Sequence, residues 1–144
     1  MLGPRRCDLT TVHNIANICR QMPKTHVVLY RETDGTVPLL QWLDSLSDKV
    51  RETCLFRIRR LAAVGHELRR PEADYLRDGI YELRVGLRGR NYRMLYFFHG
   101  AVAAVVAHGL VKEDQVPANE IDRAITRKRA FEKNPSQHAY EAEL

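Results

Sequence analysis

Four side chains near the middle of the chain, Glu82, Arg84, Arg93 and His108, have the types and spacing to handle a phosphodiester. A guanidinium is planar, permanently charged and matched to phosphate oxygens, so Arg93, with Arg84 beside it, suits charge compensation at phosphorus. An imidazole takes or gives a proton near neutral pH, which makes His108 a candidate base or acid. RNA cleavage without a cofactor needs these roles together: a base for the attacking 2'-hydroxyl, a cation for the crowded phosphorane, and an acid for the departing 5'-oxygen. Glu82 is an alternative base, or it orients an arginine. Arg88 and Arg90 stand close by as candidate substrate contacts. Each residue also has a structural reading. Arg84 and Glu82 can simply pair on an exposed sheet face, His108 can be a packed histidine at a strand end, and Tyr81, Tyr92 and Tyr96 suit a core better than a base-stacking platform.

Whether these groups meet depends on strand register. Alternating apolar residues predict strands over Ile80 to Arg88, Asn91 to Phe98 and Ala101 to Ala107, joined by the two-residue turns Gly89-Arg90 and His99-Gly100. That pairing sets Arg84 opposite Leu95, Gly86 and Val106 opposite Arg93, and His108 opposite Asn91. Paired residues share a face, so Arg84, Arg93, His108 and Glu82 emerge on one side of the sheet. Tyr81, Leu83, Val85, Tyr92, Met94, Tyr96, Phe98 and Val105 fall on the other, which is expected to be the core side. A one-residue slip in either turn would scatter the cluster.

The rest of the chain supplies the helices. A strand is expected at Val27 to Tyr30, a turn at Asp34-Gly35, and a helix from Pro38 carrying Leu39, Leu40, Trp42, Leu43 and Leu46. Ser47 caps a second helix that stops at Gly65, with Val50, Cys54, Ile58, Leu61 and Ala62 on its apolar stripe. Its charges, Lys49, Arg51, Arg57, Arg59 and Arg60, form either a solvated face or a phosphate-contacting rim. Pro117 opens a last helix with Ile121, Ala124, Ile125 and Phe131 inward. The reading is an α+β protein with strand and helix order β-α-α-β-β-β-α. Residues 1–24 are an extension or a non-native start, 25–134 the domain, and 135–144 a flexible tail.

Across 144 residues the formal net charge is +5, which favours an anionic partner. No apolar run approaches the length of a membrane span, and no signal peptide is apparent, so a cytoplasmic protein is expected. Cys7, Cys19 and Cys54 include no CxxC pair, and Cys7, His13 and Cys19 match no standard zinc spacing. No metal or other cofactor is expected.

The strings GTVPLLQWLDSL, LRRPEADYLRDGIYELRV, YRMLYFFHG, VVAHGLVK and VPANEIDRAITRKRAFEKN follow one another between Val27 and Asn134. In this order they resemble the phage-derived branch of the RelE/HigB toxin family. The resemblance implies a RelE-like fold, a small and mostly antiparallel sheet packed on helices. It implies the toxin of a type II toxin–antitoxin pair, a ribosome-dependent mRNA endonuclease that inhibits translation. Its implied partners are the ribosome, mRNA and a cognate antitoxin with a helix-turn-helix DNA-binding fold. Arg84 and Arg93 match basic sheet residues of the family, and Lys112 matches a lysine at the end of the last strand. Glu113 stands where many members carry a second lysine, and Tyr140 lies beyond the matched region, so the family's C-terminal tyrosine has no equivalent. The rival function is a basic module that binds RNA, ribosome or antitoxin without cutting.

Overall fold

The computed structural model describes residues 25–101 and 103–143. The proposed extension and its Cys7, His13 and Cys19 lie outside the described residues. Strand β1 (His26–Tyr30) leads to helix α1 (Pro38–Asp44), whose first-turn proline sets the helical φ without costing a bonded N–H. Helix α2 (Asp48–Val64) begins at Ser47, whose hydroxyl accepts from Val50 N at 3.4 Å, and ends at Gly65 with φ 64°. Then come β2 (Ala73–Arg77), β3 (Ile80–Leu87), β4 (Arg90–His99), β5 (Ala103–Val111), α3 (Ala118–Lys133), α4 (Pro135–His138) and β6 (Ala139–Tyr140). The strands form one mixed, open sheet in the order β2-β3-β4-β5-β1-β6, antiparallel except where β1 runs parallel to β5. Among the described residues no helix is long and apolar enough to cross a membrane.

Three features correct the expected register. The first hairpin turns at Arg88-Gly89, both at positive φ, so Leu87 pairs with Arg90 and Arg84 lies directly opposite Arg93. The second hairpin turns later, pairing His99 with Ala103, and a bulge then sets Leu95 opposite His108 while Tyr96 faces Val106. The bulge brings His108 round to the face of Arg84 and Arg93, which an unbroken ladder would deny it. A strand absent from the expected order, β2, pairs with β3 through Asp78-Gly79, again both at positive φ.

Helices pack on both faces of the sheet. Helices α1 and α2 cover one face, where Leu83, Val85, Met94, Tyr96 and Val106 pack with Leu39, Leu43, Cys54, Ile58 and Leu61. Close approach of α1 explains Gly109: a Cβ there would collide with the Trp42 ring. Cys54 is fully buried, and burial pushes its thiol up to about 11. Helix α3 covers the face assigned to chemistry. Its Ile121, Ala124, Ile125 and Phe131 meet Leu95, Phe97, Val105 and Ala107, so Val105 belongs to this second core and not to the first. Residues 135–143 pack onto the sheet. His138 is buried, stacks on Tyr30 at 5.1 Å and donates from Nδ1 to Arg31 O at 2.8 Å, holding β6 against β1.

Candidate functional site

Arg84, Arg93 and Glu82 come together where α3 leaves the sheet uncovered. Arg93 and Glu82 are both nearly excluded from solvent, with side-chain exposures of 6% and 5%. Arg93 donates to Glu82 Oε1 at 2.7 Å and to Asp114 O at 2.9 Å. Two charges this deeply buried are tolerable only because each neutralises and hydrogen-bonds the other. The side chain of Arg93 therefore does not stand free of the helical layer, as a solvent-facing sheet arginine would. Arg84 is more open, 38% exposed, with Nε 3.8 Å from Glu82 Oε2.

These groups line a cleft of about 840 Å³ bounded by β2, β3, β4, the 113–116 loop and Ile121. Its lining carries four arginines, Arg70, Arg77, Arg84 and Arg93, and four carboxylates, Asp74, Glu82, Glu113 and Asp114. The formal charge balances. Arg70 is committed to Asp74 at 2.7 Å, and that hydrogen bond holds the Asp74 carboxyl below its ordinary range. Arg77 is shared between Asp78 and Asp122. Arg84 alone among the four makes no side-chain hydrogen bond within 3.5 Å among the described residues, which leaves its donors to a ligand.

His108 shares the sheet face but not the cleft. It is buried under α3, where Arg127 donates to Nδ1 at 2.8 Å and Nε2 donates to Glu120 Oε1 at 3.1 Å. Both ring nitrogens are occupied, and the neutral tautomer is the one that satisfies them. Burial, then the nearby charges of Arg127 and Arg123, pull its pKa down to about 3. The network continues from Arg127 to Glu32 Oε2 at 2.9 Å, and the Arg127 guanidinium lies 5.7 Å from the centre of the Tyr30 ring. Of the two readings that the sequence leaves open for His108, this geometry fits the packed, saturated histidine. Both of its partners come from α3, and Arg127 is held in turn by Glu32 in the loop after β1, which pairing within the three-strand unit does not reveal.

Lys112, Arg88 and Arg90 are exposed. Arg88 and Arg90 flank the tip of the β3–β4 hairpin, and none of the three lines the cleft. Tyr75, half exposed on β2 and edge-on to Tyr81 at 5.0 Å, sits at the cleft rim and was not anticipated. The signal for it was present, since Asp-Gly between apolar stretches is a strong hairpin indicator.

The fold and cleft together define a small α+β protein with an arginine–carboxylate centre on a mixed sheet. The family model described as phage derived protein Gp49-like matches residues 41–129, and the chain belongs to that family. It is a toxin-like family of toxin–antitoxin systems, and membership implies an antitoxin partner. The matched residues span β2 to β5 and so contain Glu82, Arg84 and Arg93. No curated protein matches the chain.

Proposed function

We propose that this chain is the toxin of a type II pair and cuts mRNA on the ribosome, as the RelE/HigB toxins that it resembles do. The observation that carries the reading is the orientation of Glu82. Arg93 occupies Oε1 and fixes the carboxylate, while Oε2 is turned toward Arg84 in an open cleft. With a phosphodiester on Arg84, Glu82 Oε2 takes the 2'-hydroxyl proton as that oxygen attacks phosphorus. Arg84 holds the charge that accumulates on the non-bridging oxygens. Arg93 positions the base. The bond to the 5'-oxygen breaks on the opposite side of phosphorus, and among the described residues no histidine or lysine lines the cleft to protonate it. On this reading that proton comes from water or from the ribosome.

The balanced charge of the cleft favours a second reading, a module that occupies the ribosome or an antitoxin without cutting. Primer extension on mRNA within minutes of induction separates the two. New 5' ends in translated messages are expected; arrest of translation without new ends leaves only the binder, and growth without arrest removes both.

A further inference from the structure

Beside the balanced cleft lies a smaller one, about 370 Å³, with a different charge. Arg84 and Arg93 line both, so the two are contiguous. The smaller cleft adds Arg57 from α2 and Asn91, whose amide nitrogen donates to Glu113 O and Oε1 at 3.4 Å, and its one lining carboxylate is Glu72. Glu72 is already engaged. Both of its oxygens accept from Arg60, at 2.9 and 2.8 Å, and these bonds keep the carboxyl below its ordinary range. Arg57 Nε reaches Glu72 only at 3.9 Å, beyond hydrogen-bond distance. Among the described residues Arg57 Nε is the one buried side-chain nitrogen or oxygen with no hydrogen-bond partner. A buried donor on a permanent cation is costly to leave unpaired, and its natural acceptor is an anion.

We propose that Arg57 and Arg84 form a subsite for a phosphate of an RNA strand, adjacent to the phosphate that is cut. This rests on the nuclease reading only for the identity of the strand. The site itself follows from the unpaired Arg57 Nε and the shared wall at Arg84. The backbone of Arg84 donates to Glu72 O at 2.8 Å, so the loop before β2 fixes the spacing between Arg84 and the Arg57–Glu72 pair. A strand lying across Arg84 then places one phosphate in each cleft.

The test is fluorescence anisotropy of a labelled 2'-O-methyl RNA hexamer, which cannot be cleaved, bound to the full chain over a salt series. Arg57→Gln should weaken binding about tenfold. It should also flatten the slope of log affinity against log salt by about 0.7, the loss of one phosphate contact on a single strand. Arg57→Lys should keep the slope. Glu72→Gln should tighten binding, because it removes the one negative charge in the small cleft. A parental slope and affinity in Arg57→Gln would overturn the subsite; so would unchanged or weaker binding in Glu72→Gln, which decides the matter if Arg57→Gln does not fold. Arg57-dependent binding without ribosomal cleavage would sink the nuclease reading and leave the subsite standing. Cleavage with Arg57-independent binding would do the reverse.

Discussion

Two polar centres are buried on the same face of the sheet, and they differ in what is left unsaturated. At Glu82–Arg93 the guanidinium holds one carboxylate oxygen and leaves the other facing a cleft and the loosely held Arg84. At His108, Arg127 fills one ring nitrogen, Glu120 the other, and α3 closes over all three. Burial fixes geometry in both. Only the first keeps an atom available for chemistry; in the second, the lowered pKa of His108 accompanies a saturated ring and not an open site.

Arg93→Ala should have the largest effect. It strands Glu82 as an uncompensated buried charge and should cost about 3–5 kcal/mol of stability, read by denaturant unfolding. Adding Glu82→Gln should restore much of that stability without restoring activity. A stable Arg93→Ala chain would mean that the pair is solvated in solution, and the contrast between the two centres would collapse.

Next comes Arg84→Ala. Its side chain makes no hydrogen bond to lose, so the melting temperature should hardly move. Single-turnover cleavage on ribosomes should fall by about 10²–10³-fold, the usual effect of deleting one charge-stabilising donor. A large loss of stability with an unchanged rate would transfer Arg84 to the structural class.

The smallest effect is expected at His108. His108→Gln should lower stability by about 1–3 kcal/mol at pH 7, with the cleavage rate per folded molecule unchanged. The pH dependence sharpens the test. The unfolded histidine titrates near 6.5 and the folded one near 3, so between these values the unfolded chain binds the additional proton. Stability should therefore fall as pH drops below 6.5, by up to about 1.4 kcal/mol per pH unit from this group. Glu120, Arg123, Arg127 and Glu32 are the charged groups of its network. Melting temperatures at pH 7.5 and 5.5 should differ more in the parent than in His108→Gln; equal differences would show that His108 is not held neutral.

Helix signals were readable because they are local: the proline at 38, the Ser47 cap and the Gly65 stop each act within one turn. The common face of Arg84, Arg93 and His108 was readable for a less secure reason. The first turn moved the pairing by two residues, which preserves face, and the bulge opposite Leu95 compensated for the longer second turn. Coverage by α3 was missed, although apolar residues on both parities of β4, Met94 and Tyr96 against Leu95 and Phe97, already indicate a strand buried on two sides. The saturation of His108 depends on contacts with α3, one of them braced by Glu32 from the loop after β1, at sequence distances that no periodicity encodes.

The placement of β1 bears on the order in which the chain can be completed. Leu29 pairs with Val106 on one side and Tyr140 on the other, so the strand synthesised first among those described has neighbours synthesised last. The β2–β5 meander closes through short turns and needs little loop entropy, whereas β1 must wait for it. While the chain is still emerging, the VVLY segment remains an unpaired apolar strand. Its exposure, and the aggregation risk that accompanies it, fall when β5 becomes available to pair with it and end only when β6 covers its other edge at Leu29 and Tyr30.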